Sequence, residues 1–140
     1  MLDQFIWGEV DRISPEAPVP IVNFKTESFM AGGAANVARN LTSLHCSAQM
    51  HSVIGRDEAG KKLRILLKDD HVDCQSLINS NSRQTSCKTR IIAQRQQIVR
   101  VDREAGLDLE SQLSKRLTKS IETGFLFLLR IKKTISFSIF

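Results

Sequence analysis

Cysteine is scarce in this chain, with Cys46, Cys74 and Cys87 the only three. They are odd in number, far apart and form no C-x-x-C pair, which excludes a disulfide framework and gives no basis for a zinc site. His45, His51 and His71 share no ligand spacing with them, so no metal site is expected. Basic residues exceed acidic ones, 20 against 15, but there is no long basic run and no RNA-binding motif. The formal charge of +5 therefore reads as a solvated surface, and no nucleic-acid partner is expected. Asp3 and Glu9 break up the N-terminal stretch, so no secretory signal is read there. The last residues, Arg130 to Phe140, are too short and too charged to cross a bilayer of about 30 Å. A cytoplasmic protein without a membrane partner is the expectation.

What is present suits one ordinary globular domain: 140 residues, 41% hydrophobic and 25% charged. Prolines 15, 18 and 20 lead into a short strand over Ile21 to Phe24, and because proline cannot donate to a ladder this strand belongs at a sheet edge. Ala34, Val37, Ala38, Leu41 and Leu44 recur at helical spacing, predicting an amphipathic helix over 34–44 that packs one face on a sheet. Gln49 to Ile54 reads as the next strand. Asp57 can cap a helix running to about Lys68, with Leu63, Leu66 and Leu67 buried and Lys61, Lys62 and Arg64 facing water. Lys88 to Ala93 and Gln97 to Asp102 flank Gln94-Arg95-Gln96 as a hairpin. Leu109 to Thr123 returns to helical spacing, and Gly124 to Leu129 reads as a buried strand. Such alternation predicts an α/β fold with a mostly parallel sheet and a small antiparallel β flap.

Two adjacent glycines, Gly32 and Gly33, open the first helix. Without Cβ atoms they let a small polar ligand approach the backbone, and free N–H groups of the helix start face the same space. Asn36, one turn later, adds an amide that both donates and accepts. This combination suits a polyhydroxylated ligand.

The run Ala31-Gly32-Gly33-Ala34-Ala35-Asn36-Val37-Ala38, with Gly55 downstream, resembles the first signature of the ribokinase-like, phosphofructokinase B type carbohydrate kinases. Arg12 to Pro20, with Met1-Leu2-Asp3 before it and Gln96 to Asp102 after it, is similar more narrowly to the bacterial D-glycero-β-D-manno-heptose-7-phosphate kinases. Those enzymes phosphorylate the anomeric hydroxyl on the route to ADP-heptose for lipopolysaccharide. The likeness runs from Met1 to about Thr123 and implies the N-terminal, sugar-binding half of a truncated ribokinase-like three-layer fold, leaving 124–140 as a divergent tail. It implies a β lid from 12–24 and 88–102 over the sugar, and a homodimer through that lid. His45 stands where the signature usually has a small residue at the helix end, a position where glycine would be a natural left-handed cap.

The resemblance also implies residue roles. Asp3, Gly32, Gly33 and Asn36 match the sugar-contacting positions, while Asp57 and Gly60 shape a turn and a helix cap. Arg90, Arg95 and Arg100 are candidates for the sugar phosphate, since a guanidinium fork matches phosphate geometry. ATP and Mg²⁺ are the family's cofactors, but the Gly-Ala-Gly-Asp that supplies the anion hole and catalytic carboxylate occurs nowhere in this sequence, and after Gly60 only Gly106 and Gly124 remain. The expectation is therefore a fragment with no catalytic residue and no ATP site of its own, inactive alone and marginally stable. From Arg130 the sequence departs from the family's pattern, as either a shifted reading frame or a real terminal strand would make it. A non-catalytic sugar-phosphate-binding or lid-mediated oligomerisation module is the alternative.

Overall fold

The computed structural model describes residues 1–104, 106 and 108–136. Two long strands, β1 (Leu2–Ile13) and β2 (Pro20–Ala31), come first, followed by α1 (Ala34–Ser43), β3 (Ser52–Gly55) and α2 (Glu58–Asp69). Then come β4 (Leu77–Ser80), β5 (Cys87–Ala93), β6 (Gln96–Arg103) and α3 (Ser111–Ser136). One sheet has the order β2-β1-β5-β6, and β3 and β4 form a second, parallel pair. In the larger sheet β1 runs antiparallel to β2 and parallel to β5, and β5 and β6 form an antiparallel hairpin. The α/β class holds, with parallel and antiparallel pairs mixed.

The flap is larger than the sequence suggested. β1 was not expected at all, and the edge strand read at Ile21 to Phe24 extends to Ala31. Polar and apolar residues mix along β1 because half of it lies at intermediate exposure, with strands on both sides of its first part, which weakens any period-two signal. The proline-rich segment is the turn between them, closed by Ser14 N–H donating to Val19 C=O at 2.9 Å. Pro20 starts the edge strand, where a missing N–H costs least. Between β5 and β6, Gln94 and Arg95 have φ of 50° and 64°. Two consecutive left-handed residues match the right-handed twist of a tight hairpin.

The core forms where α1 and α2 pack on the sheets. Leu2, Ala31, Cys87, Ile54, Leu63, Leu67, Val72 and Leu77 are buried in one cluster. Leu63 and Leu67 lie one turn apart on α2, and burying each contributes about 2 kcal/mol. Arg64 does not face water as expected. Its guanidinium reaches Cys74 C=O at 3.0 Å, Leu77 C=O at 3.2 Å and Asn79 Oδ1 at 3.3 Å, tying α2 to the start of β4.

α1 also turns differently from the expectation. Ala35 and Ala38 are its buried residues, while Val37, Leu41 and Leu44 are exposed. Small side chains let the helix sit close to β2, and that approach rotates the bulkier apolar positions outward. Both early helices end alike. Cys46 N–H donates to Leu41 C=O and His45 N–H to Thr42 C=O, each at 2.9 Å. Val72 N–H donates to Leu67 C=O at 2.9 Å and His71 N–H to Lys68 C=O at 3.0 Å. His45 and His71 take the left-handed position, φ 60° and 58°, of this paired-bond cap.

The strand expected over Gly124 to Leu129 is instead part of α3. A strand there would need a free edge to pair with, whereas a helix satisfies its backbone within itself. Gly124 lets α3 pass close to β3's approach: a Cβ there would come 3.0 Å from His51 Cε1. Nearby, His51 Nδ1 lies 3.0 Å from Ser120 Oγ. Of the divergent tail, residues 137–140 lie outside the described residues.

Candidate functional site

The β2–α1 junction brings the candidate residues together. Gly33 is the N-cap of α1 with φ 57° and ψ −130°, a conformation closed to residues with a Cβ. No side chain caps this helix start. Asn36 is half-buried in its first turn. Gly32 N–H donates to Met1 C=O at 3.0 Å, which ties the junction to the start of β1.

Asp3 sits beside that junction. A Cβ on Gly32 would fall 2.6 Å from Asp3 Oδ2 and 2.7 Å from its Cγ, so the absent side chain is the space the carboxylate occupies. The other oxygen, Oδ1, accepts from Arg90 Nη1 at 2.8 Å. Both side chains are mostly buried, 18% and 25% exposed, so solvent screens the pair less than an ordinary surface bridge. The Arg90 guanidinium also lies 5.2 Å from the Phe5 ring centroid, within cation–π range.

Strand register explains the grouping. Phe5 pairs with Arg90 and Arg90 with Arg100, so these three share one face with Asp3, two residues from Phe5. Lys88, opposite Asp3, shares that face too and reaches Glu104 at 3.3 Å and Asp102 at 3.8 Å. Arg100 Nε donates to Asp102 Oδ1 at 2.9 Å. Sequence reasoning missed Lys88; only pairing it across from Asp3 singles it out. Arg95 is not brought to this face. It stands at the hairpin tip, five residues along from Arg90 and on the order of 15 Å away.

Asp57 does cap α2, accepting from Gly60 N–H at 2.8 Å with Oδ1. Its Oδ2 accepts from Thr85 N–H, also at 2.8 Å. Burial works to raise the Asp57 carboxyl, but the bonds from Thr85 and Gly60 outweigh it and hold the group below its ordinary value.

The two early helix starts each lie beside a carboxylate. At α1 the helix start borders the Asp3 carboxylate, and at α2 Asp57 already fills the first turn. Among the described residues no group of three or more His, Cys, Asp or Glu side chains could hold a metal ion. No helix among them is long and apolar enough to cross a membrane.

The family model for pfkB family carbohydrate kinases matches residues 3–129. The "Bifunctional protein HldE" of Aliarcobacter butzleri is 43% identical over 122 residues, which is 87% of this chain and 26% of that protein. The protein of the same name from Helicobacter pylori strain J99 is 48% identical over 115 residues, 82% of this chain and 25% of that protein. The chain thus spans about a quarter of the length of these relatives. Among solved structures, phosphofructokinase-2 from Escherichia coli in complex with fructose-6-phosphate superposes with a TM-score of 0.66 at 21% identity, covering 87% of this chain and 38% of that one. Ribokinase from Arabidopsis thaliana, complexed with ribose and ATP, gives 0.58 at 21% identity over 73% of this chain and 33% of that one. Those two likenesses speak to the fold.

Proposed function

The chain belongs to the pfkB family of carbohydrate kinases, and on that premise we propose that residues 1–123 are the sugar-binding half of a D-glycero-β-D-manno-heptose-7-phosphate kinase. In this reading the phosphoryl group of ATP goes to the anomeric hydroxyl, toward ADP-heptose and lipopolysaccharide. The observation that carries it is the Asp3 carboxylate wedged between the Gly32 backbone and the Arg90 guanidinium. Two strands, a glycine junction and a helix start converge on that one acceptor.

The proposed division of labour follows from donors and acceptors. Asp3, oriented by Arg90, accepts hydrogen bonds from sugar hydroxyls. Gly32 and Gly33 allow the ring to approach the backbone, and Asn36 adds an amide donor and acceptor. The 7-phosphate sits along the cationic row of the same face, where Arg100 and Lys88 exchange part of their pairing with Asp102 and Glu104 for phosphate oxygens. The sheet carrying this face excludes water from the bound sugar. The catalytic carboxylate and the ATP site lie outside these residues, so the chain binds sugar phosphate without phosphorylating it. The reaction takes place in the cytoplasm, where ATP is supplied.

Titration calorimetry of the 140-residue chain with D-glycero-β-D-manno-heptose 7-phosphate, beside an ATP-dependent phosphorylation assay, tests this. Binding without turnover is expected. Turnover by the chain alone, or no binding to a folded sample, would overturn it.

A second reading, a homodimer through the lid, rests on the sheet's other face. Ile6, Ile91 and Val99 stand side by side there by register, and Val101 lies in the next row. Phe24, Val99 and Val101 are exposed. An apolar sheet face open to water is a natural surface to bury against a second copy.

A further inference from the structure

The Gly55-x-Asp57-x-x-Gly60 segment does not touch the candidate sugar face, yet it is among the most tightly packed parts of the chain. Asp57 bridges two elements with its two oxygens, Gly60 N–H on one side and Thr85 N–H on the other, both at 2.8 Å. Thr85 is buried, and its hydroxyl accepts from Gly55 N–H at 2.8 Å. A Cβ on Gly55 would come 2.7 Å from Arg83 C=O and 2.8 Å from both Asp57 Oδ2 and Thr85 N. One on Gly60 would strike Gly55 C=O and stand 2.8 Å from Thr85 Oγ1. Both glycines are therefore required by the closeness of this clasp.

The clasp grips Thr85, two residues before β5. Ser86 C=O accepts from Leu2 N–H at 2.8 Å, and from there the parallel register runs Leu2 with Cys87, Asp3 with Lys88 and Phe5 with Arg90. Because strand side chains alternate, a one-residue slip would put Arg90 on the opposite face, and a two-residue slip would move it by about 7 Å. Either breaks the 2.8 Å contact to Asp3. Along the strand, Thr89 Oγ1 donates to Gln4 Oε1 at 2.8 Å and Gln94 Nε2 to Val10 C=O at 3.1 Å, while β6 is joined to β5 by its own hairpin and would slide with it, so the clasp is the tie that acts ahead of the strand's start.

We propose that Asp57 and Thr85 are positioning residues for the sugar-phosphate face, locking the β5 register so that Arg90 meets Asp3 and Lys88 stands opposite it. This rests on the sugar-binding reading above. Asp57 acts at a distance, through Thr85, Ser86 and Leu2, and contacts no ligand itself.

The side-chain chemistry allows the clasp to be separated from the helix cap. Asp57→Asn keeps one oxygen for Gly60 N–H but turns an NH₂ toward Thr85 N–H, a donor against a donor. Thr85→Val preserves shape and removes the hydroxyl that Gly55 N–H needs. Thr85→Ser restores it. Calorimetry with D-glycero-β-D-manno-heptose 7-phosphate, well below each variant's melting temperature, should show affinity about tenfold weaker for Asp57→Asn and Thr85→Val. Thr85→Ser should bind like the parent. In an Arg90→Ala background the same substitutions should add less than about twofold, since they act through Arg90.

If the parent chain binds but both variants bind equally well, the positioning role is wrong and the sugar-binding reading stands. Full additivity with Arg90→Ala, or unfolding of both variants, would likewise show that the clasp holds the fold in general and not the Arg90 register. If the parent binds nothing, the sugar-binding reading falls first and takes this inference with it.

Discussion

Replacing Gly32 with Ala would add one methyl group directly against the Asp3 carboxylate. Gly32 does not have a positive φ, so the backbone tolerates alanine and the perturbation is purely one of contact. The new Cβ would start 2.6 Å from Asp3 Oδ2 and 2.7 Å from Cγ, distances at which something must move by several tenths of an ångström. The Gly32 backbone is held by its bond to Met1 C=O, so the carboxylate is displaced and its bond to Arg90 lengthens. Overpacking of this kind costs about 1–3 kcal/mol. A charge-assisted bond from Asp3 to a sugar hydroxyl, lost with it, is worth about 1.5–3 kcal/mol of binding. That corresponds to an affinity roughly ten- to a hundredfold weaker. Calorimetry with heptose 7-phosphate measures the loss, and a thermal melt shows whether the sample remains folded. Unchanged affinity in folded Gly32→Ala would refute Asp3 as the sugar acceptor. Gly33→Ala is the comparison: its φ of 57° and ψ of −130° impose backbone strain, so it should lower stability by about 1–3 kcal/mol.

Three further outcomes follow from the same structure. His45→Gly and His71→Gly relieve left-handed strain at two exposed helix ends and should each raise stability by up to about 1 kcal/mol, less what glycine adds to unfolded-chain entropy; a fall in melting temperature would contradict the cap assignment. The Asp57 carboxyl is held below its ordinary value of 3.8, so its contribution is fully present above that pH and disappears as pH falls through the lower folded-state value. The stability gap between the parent and Asp57→Asn should thus be constant from pH 7 to about 4 and close below it; a gap that widens in acid would reverse the sign. Phe24→Glu and Val101→Glu place charge on the apolar sheet face and should convert a dimer to monomer in light scattering and make the melting temperature independent of protein concentration, whereas a parent chain that is monomeric at high concentration would remove the lid-dimer reading.

Local chemistry was legible wherever a residue acts on its own neighbourhood. Asp57 as a helix cap, the hairpin around Gln94 and Arg95, the helix starting after Gly33 and the left-handed position of His45 all depend on backbone preferences within a few residues. The two strands read least well were those defined by partners. β1 mixes polar and apolar residues because it lies between two neighbours, and four-residue β4 is too short to carry a period. Gly124 to Leu129 reads as a strand from its apolar content, but that content does not decide between burying a run in a sheet and continuing a helix.

The amino-acid order by itself determined the glycine junction, the caps and turns, and through its motif the family, because each is written in contiguous residues whose conformational options are few. Tertiary structure decided which of the candidates form a site. Asp3 and Arg90 are 87 positions apart in sequence, and only the parallel pairing of β1 with β5 puts them 2.8 Å from each other while leaving Arg95 at the far end of a hairpin. That pairing is anchored from outside the sheet, at Thr85 and Asp57, and strand register is a long-range property that no local stretch of chain encodes.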